Sequence, residues 1–185
     1  MNDQEIIALF FARSQQAIIE LSNKYGTLCN QIARNILKNK QDAEECVNDA
    51  YLGAWNTIPP QKPDPLISYI CRIVRNLSIK KYHTNTALKR NSFYDIALDE
   101  LEYTLPSSST IDEVCDAKEL TQVLNRFLES LDQESRVLFV RRYWYADSIS
   151  QIAAMFHISD HNATVRLSRI RNKLKLFLEK EGIYV

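Results

Sequence analysis

The chain has 185 residues with 23 basic and 23 acidic side chains, so its formal net charge is zero. A hydrophobic content of 45% allows packed cores in one or two small domains, and only 3 glycines argue against turn-rich β folds and glycine-rich phosphate loops. No apolar run approaches the length of a membrane span, and the amphipathic, acidic start is unlike a signal peptide, so we expect a cytoplasmic protein.

Apolar residues at helical spacing predict four helices in the first half of the chain. The first two are expected over 3–21 and 24–38, and a third over about 42–56. A proline-rich stretch at 59–65 must then break helical structure. The fourth helix is expected over about 65–83.

The third predicted helix has an acidic, amide-bearing face. Acids in the first turn of a helix suit its dipole, and this accounts for Glu44 and Glu45. It does not account for Asn48 and Asp49 further along. This face is therefore also a candidate interaction surface.

The fourth predicted helix exposes basic side chains among aromatic ones. They are Arg72, Arg75, Asn76, Lys80 and Lys81, interleaved with Tyr69, Tyr82 and His83. Such a mixture suits single-stranded nucleic acid, whose bases stack on aromatic rings while its phosphates are neutralised. The alternative is a set of surface lysines beside core tyrosines.

Periodicity is lost over 84–111, and the composition of 104–110 is typical of a linker. Helices are predicted to resume at 112–130 and 132–145, and two more follow within 147–178. No strand pattern appears. We therefore predict an all-α protein in which an N-terminal helical bundle and a C-terminal four-helix domain are joined by an acidic flexible linker.

The last two predicted helices have the pattern of a helix-turn-helix DNA-binding motif. Ser159 is a good N-cap for the second of them. One face of that helix is apolar, and a neighbouring face is basic and amide-bearing: Asn162, Arg166, Arg169 and Lys173. A short helix, a turn and a longer basic helix are typical of a DNA reader. The alternative is a helical hairpin whose basic residues only keep it soluble.

Charge is unevenly distributed despite the neutral total. Residues 62–90 and 159–175 are basic, and residues 95–119 between them are acidic. Two basic blocks separated by an acidic one indicate two nucleic-acid contacts with a like-charged spacer.

No pattern indicates a catalytic, metal or cofactor site. The four cysteines are far apart and are expected to be buried thiols: Cys29, Cys46, Cys71 and Cys115. The histidines have no partners at catalytic spacing, and neither a P-loop nor an H-E-x-x-H sequence is present. We therefore expect neither a cofactor nor enzymatic activity.

Four stretches carry a family resemblance. Residues 42–55 read DAEECVNDAYLGAW, and residues 67–83 read ISYICRIVRNLSIKKYH. Residues 131–153 read LDQESRVLFVRRYWYADSISQIA, and residues 158–174 read ISDHNATVRLSRIRNKL. In order, they resemble the core-binding segment, the promoter-melting helix, the first part of the C-terminal domain and the recognition helix of extracytoplasmic-function sigma factors, a branch of the sigma-70 family.

The resemblance implies a role for each surface. Contacts with the clamp of core RNA polymerase are implied for Asp42, Glu44, Glu45, Asn48, Asp49, Tyr51 and Trp55. Contacts with the minus-10 element are implied for Lys62, Arg72, Arg75, Asn76 and Lys80. Contacts with the minus-35 element are implied for His161, Asn162, Thr164, Val165, Arg166, Arg169 and Lys173.

The same resemblance implies the domain limits and the partners. Residues 1–92 would form a region 2-like domain, 93–111 an acidic linker in the RNA exit path, and 112–185 a region 4-like domain. The partners would be promoter DNA and core RNA polymerase, through its clamp and flap. Family members are often held inactive by an anti-sigma protein that clamps both domains, and the linker permits such a partner.

The sequence departs from the family pattern at three places. His161-Asn162-Ala163 stand where Gly-Thr-Val often opens the recognition helix. Tyr69 stands where Trp is common, and Lys80 where Asp is common. The base preference of the family therefore does not transfer to this chain.

The predicted function is that of a sigma factor, which directs core polymerase to promoters and catalyses nothing itself. The alternative is a stand-alone helix-turn-helix regulator that binds operator DNA as a dimer. Such a regulator needs neither the acid-rich segment 42–49 nor a second basic block. Tight binding of the free protein to duplex DNA would favour the alternative.

Overall fold

The computed structural model describes residues 1–85, 93–102, 104 and 117–183, and over these residues it contains helices and no strands. The chain divides into two compact units, Met1–Ser92 and Phe93–Val185. The prediction of an all-α fold with two helical domains is therefore confirmed for the described part of the chain.

Residues 1–85 form four helices. They are α1 (Asp3–Phe11), α2 (Gln16–Leu37), α3 (Lys40–Thr57) and α4 (Leu66–Asn85). Helices α2, α3 and α4 pack against one another, and α1 packs against α2. Their shared core is lined mainly by small and aliphatic side chains, which include Leu21, Ile32, Ile36, Ala50, Ala54, Ile70 and Val74.

The predicted boundary between the first two helices is wrong. The helix expected over 3–21 instead ends at Phe11. The chain turns at Arg13, whose φ is +53°, and the Ser14 amide donates to the Leu9 carbonyl at 3.0 Å. This turn contains neither glycine nor proline, so no conventional sequence signal marks it.

Helix α2 runs unbroken through residues 22–23, where the break between the first two helices was predicted. Gly26 lies inside it and is buried against α3. A Cβ atom at this position would lie 3.2 Å from the Tyr51 hydroxyl and 3.3 Å from the Ser22 hydroxyl. Gly26 therefore lets α2 and α3 approach closely.

Phe93–Val185 contains five helices in its described part. They are α5 (Phe93–Glu102), α6 (Ala117–Ser130), α7 (Gln133–Tyr143), α8 (Ile149–Phe156) and α9 (Asp160–Lys180). Their common core is lined mainly by apolar side chains, which include Val123, Phe127, Leu138, Ile152, Leu167, Ile170 and Leu174. Asp132 caps α7, as its position in the sequence predicts, because its carboxylate accepts from the Ser135 amide at 2.8 Å.

Helix α5 corrects the expectation that 84–111 lacks regular structure. It packs against α7, and its Glu100 carboxylate binds arginines of the unit's core. The helix is stabilised by these tertiary contacts, which a search for sequence periodicity does not detect. The expected linker residues 105–111 and the start of the helix predicted at 112 lie outside the described residues.

Three of the cysteines are buried thiols, as predicted. Cys29, Cys46 and Cys71 lie in the core of the first unit and form no disulfide. Burial raises the pKa of the Cys46 thiol, which keeps it protonated. Cys115 lies outside the described residues.

Candidate nucleic-acid interface

Helices α8 and α9, which flank a tight turn, each begin with a side-chain cap. At the start of α8, the Ser148 hydroxyl accepts from the Gln151 amide at 3.2 Å, and the Gln151 side chain accepts from the Ser148 amide at 2.7 Å. Helix α8 ends at His157, which has a left-handed φ of +52°. The Ser159 hydroxyl then accepts from the Asn162 amide at 3.2 Å, as a cap for α9. The predicted helix-turn-helix motif is thus present.

Helix α9 buries one face and presents the opposite one to solvent. The buried face consists of Ala163, Leu167, Ile170, Leu174 and Leu178. At 100° per residue, the opposite face brings together most of the predicted DNA contacts. His161, Asn162, Arg169 and Lys173 are exposed there, and Val165 is half-buried among them. We call these five residues the α9 stripe.

Thr164 lies away from the α9 stripe, on a flank of the helix. Its hydroxyl donates to the Asp160 carbonyl at 2.9 Å. This hydrogen bond within the first turn of α9 occupies the hydroxyl proton. Thr164 therefore stabilises the start of the helix and is poorly placed to read a base together with the α9 stripe.

Arg166 borders the α9 stripe on the other flank and is held by two acceptors. Its Nε donates to the Asn162 side-chain oxygen at 3.1 Å. Its Nη1 forms an ion pair with the Glu134 carboxylate, which comes from the first turn of α7. The Arg166 side chain is 35% exposed, so the rest of the guanidinium remains accessible.

A largely buried polar cluster connects α9 with α5 and α7, and no local sequence pattern predicted it. Arg142 on α7 is 1% exposed, and its Nη1 donates to the Asp147 carbonyl at 2.8 Å. The Glu100 carboxylate accepts from Arg142, from the Tyr143 hydroxyl at 3.0 Å and from Arg171 of α9 at 3.2 Å. Burial, and then the Glu100 charge, raise the pKa of the Tyr143 hydroxyl. Helices α5, α7 and α9 are thereby joined.

The second basic surface lies on α4. Arg72, Asn76 and Lys80 are exposed on it, and Arg75 is half-buried. Their spacing places them in one row along the helix, which we call the α4 stripe. Lys62 is exposed in the loop that precedes α4.

Aromatic side chains contribute less to the α4 stripe than its sequence suggested. The Arg72 guanidinium lies 5.7 Å from the centre of the Tyr69 ring, and the Tyr69 hydroxyl lies 2.6 Å from the Thr57 hydroxyl. Tyr82 is only 8% exposed and belongs to the core, so it offers no stacking surface. His83 is exposed and lines a shallow groove with Asn76 and Lys80.

The acidic face of α3 is partly neutralised within its own unit. The Lys81 ammonium lies 2.8 Å from the Glu45 carboxylate and 3.7 Å from that of Asp42. The hydrogen bond that Lys81 donates to Glu45 raises the pKa of Lys81, which favours its charged form. Glu44 lies 3.8 Å from both Arg34 and Lys40. Three of the predicted polymerase contacts, Asp42, Glu44 and Glu45, are therefore engaged in intramolecular ion pairs.

Asn48 and Asp49 are exposed, and their side chains have no hydrogen-bond or ion-pair partner in the part of the chain that the structure describes. Leu52 beside them is 56% exposed. Trp55 is half-buried, and the Arg13 guanidinium lies 5.5 Å from the centre of its ring. Tyr51 is 7% exposed and belongs to the core, so it is not part of this surface.

Over the described residues, no group of histidine, cysteine and acidic side chains is arranged to hold a metal ion. No helix among them is long and apolar enough to cross a membrane. Two helical units, one with a helix-turn-helix motif and each with an exposed basic helix, are the architecture expected of a DNA-binding protein.

Comparison with known families identifies this class more closely. Residues 21–87 match the family model for Sigma-70 region 2, and residues 121–174 match the model for Sigma-70, region 4. Together the two matches cover well over half of the chain, which belongs to the sigma-70 family of RNA polymerase sigma factors. The two regions are those typical of its extracytoplasmic-function branch.

No curated protein matches the chain. Among solved structures, the chain is similar to the structure of CnrH in complex with the cytosolic domain of CnrY. The sequence identity is 22% and the TM-score is 0.44, and the match covers 96% of this chain and 97% of that chain.

Membership of the family settles the general function. Sigma-70 regions 2 and 4 bind core RNA polymerase and promoter DNA, so the chain acts in promoter recognition and transcription initiation. The region 2 match also gives the N-terminal half a role that a stand-alone operator-binding regulator does not require.

Proposed function

We propose that the α9 stripe reads the minus-35 element of a promoter and that the α4 stripe, with Lys62, binds the minus-10 element. The observation that carries this proposal is the presence of one exposed basic helix in each of two separately packed units. Neutralised phosphates supply much of the affinity of such surfaces, and side chains that reach base edges supply the selectivity.

The minus-35 contacts of this proposal are His161, Asn162, Val165, Arg166, Arg169 and Lys173. The side chains at the start of α9 are short or planar, which suits an approach to base edges in the major groove. Arg169 carries a planar guanidinium group that can bind guanine in a bidentate manner, and Arg166 can offer its Nη2 donors to a base. Thr164 is left out because its hydroxyl is bound to the Asp160 carbonyl.

The minus-10 contacts of this proposal are Lys62, Arg72, Arg75, Asn76 and Lys80. The Arg72 guanidinium above the Tyr69 ring extends the flat surface on which an unstacked base can rest. Lys80 adds a positive charge where an acid is common in the family. This favours contact of the α4 stripe with the DNA backbone.

For the polymerase clamp, we propose Asn48 and Asp49 as the main polar contacts and Leu52 as their apolar neighbour. The other acids on this face of α3 would attract the clamp by their negative potential: Asp42, Glu44 and Glu45. Ion pairs with Lys81, Arg34 and Lys40 partly neutralise that potential. Trp55 would border this surface.

The domain limits proposed are a region 2-like domain over 1–92 and a region 4-like domain over 112–185, to which α5 is attached by Glu100. We propose no catalytic role, because members of the family position the polymerase and leave the chemistry to it. The place of action proposed is the cytoplasm, where sigma factors work.

Run-off transcription tests the proposal. Core polymerase is supplied with fragments of the source genome, with and without this protein, and new start sites are mapped. Arg169→Ala should abolish or weaken those starts, because Arg169 lies on the α9 stripe. Lys175→Ala is the matched control, since it removes a cation from another face of the same helix. No new start sites with an active core polymerase, or equal losses in both variants, would contradict the proposal.

A further inference from the structure

Glu134 is an acid on α7 that lies against a proposed DNA-reading residue of α9. Its carboxylate forms the ion pair with Arg166 Nη1 described above, across 32 positions of sequence. An acid so close to a DNA surface is repelled by phosphates, so its presence calls for a physical explanation.

The hydrogen bonds of Arg166 supply that explanation. A guanidinium carries five N–H donors in a fixed planar fork. Asn162 accepts from Nε and Glu134 from Nη1, which restrains the side chain from two directions. The Nη2 donors have no acceptor in the described part of the chain. They form the edge of the fork that is available to a base.

We propose that Glu134 is a positioning residue for promoter recognition: it holds Arg166 in the orientation that reads a base and keeps it away from the phosphate backbone. This inference rests on the proposed role of Arg166 at the minus-35 element. Both side chains are substantially exposed, at 54% for Glu134 and 35% for Arg166. An ion pair so exposed contributes little to folding stability, so its removal changes DNA selectivity and leaves the fold intact.

Two observable effects follow when Glu134→Ala is compared with the wild-type protein. Without the Glu134 ion pair, Arg166 is less well oriented toward its base. The preference for the correct base at the position that Arg166 contacts therefore falls by about 3- to 10-fold. It also becomes free to neutralise a phosphate. The slope of log affinity against log salt concentration therefore becomes steeper by up to about 0.9.

The experiment uses polymerase holoenzyme reconstituted with the full chain and a promoter library that is randomised over the upstream element. Bound DNA is sequenced for the wild-type protein, Glu134→Ala, Arg166→Ala and the double variant. Glu129→Ala is the matched control, because it removes an exposed acid that has no ion pair in the described part of the chain. Thermal unfolding confirms that each variant folds.

The expected result is that Glu134→Ala and Arg166→Ala lose preference at the same base positions, and that the double variant is no worse than Arg166→Ala. Glu129→Ala should keep every preference. Selectivity unchanged in Glu134→Ala but reduced in Arg166→Ala would overturn the inference and leave the proposed function standing, as would additive losses in the double variant. If Arg166→Ala keeps all preferences, the proposed base contact of Arg166 is wrong and the inference falls with it.

Discussion

Glu100 on α5 binds Arg142 on α7 through two hydrogen bonds, from Nη2 at 2.6 Å and from Nε at 3.2 Å. The Arg142 side chain is only 2% exposed, whereas that of Glu100 is 23% exposed. A buried guanidinium is tolerated because this bidentate pair and the Asp147 carbonyl satisfy its donors.

Removal of this partner should destabilise the second unit. We expect Glu100→Ala to lower the free energy of unfolding by about 2–4 kcal/mol, since it leaves the buried Arg142 charge without its counterion. Because Glu100 is partly exposed, this loss is somewhat smaller than that for a fully buried ion pair. Asp99→Ala, which truncates an exposed acid next to it, should change stability by less than about 0.5 kcal/mol. Denaturant unfolding measures both, and equal losses would show that the ion pair is not responsible.

The surface of α3 can be tested by charge reversal. Asp49→Lys should weaken binding to core polymerase about tenfold or more, because it places a positive charge at the centre of the proposed contact. Glu129→Lys, the same reversal on an exposed helix of the other unit, should leave the affinity unchanged. Fluorescence titration of labelled protein with core polymerase measures this. Wild-type affinity in Asp49→Lys would remove α3 from the proposed clamp contact.

The cap of α9 contributes to the rigidity of the helix-turn-helix motif. Ser159→Ala should cost about 1 kcal/mol of unfolding free energy, because the Asn162 amide loses its acceptor. Ser168→Ala makes the same chemical change in the middle of α9, where alanine is the better helix former, and should be neutral or slightly stabilising. Thermal unfolding compares the two, and an equal response would contradict the capping role.

The cap of α7 predicts a specific dependence on pH. The Asp132 carboxylate accepts from the Ser135 amide, and this hydrogen bond lowers its pKa below the ordinary 3.8. A carboxyl group whose pKa is lower in the folded protein stabilises the fold above pH 3.8, and this contribution is lost as the pH falls through the folded value. Asp132→Asn keeps an acceptor that does not titrate.

We therefore expect the stability difference between wild-type and Asp132→Asn to be constant near neutral pH and to decrease in acid below about pH 4. Urea unfolding at a series of pH values measures this difference, and acids common to both proteins cancel. A difference that stays constant down to pH 2 would indicate that Asp132 is not coupled to folding.

Local features of the chain were predictable because their determinants are close in sequence. The caps at Asp132 and Ser159, the α9 face and the basic character of α4 all follow from residues a few positions apart. The Glu100 and Glu134 ion pairs were not predictable, because their partners lie 42, 71 and 32 positions away. The same separation explains why α5 was mistaken for part of a linker.

Burial explains the remaining differences between prediction and structure. The family resemblance implied a polymerase contact for Tyr51, and the sequence left Tyr82 either on the exposed face of α4 or in the core; both side chains are buried in the first unit. The sequence pattern placed both on the correct helices. Which aromatic residue faces inward depends on the rotation of the helix, which packing decides.

The left-handed residue that ends α8 has a further consequence. Glycine is the usual occupant of such a position, yet here an exposed histidine adopts the conformation at φ +52°. The bend between the two helices is therefore a property of the backbone that more than one amino acid can satisfy. A sequence pattern that demands glycine at this turn would overlook this chain.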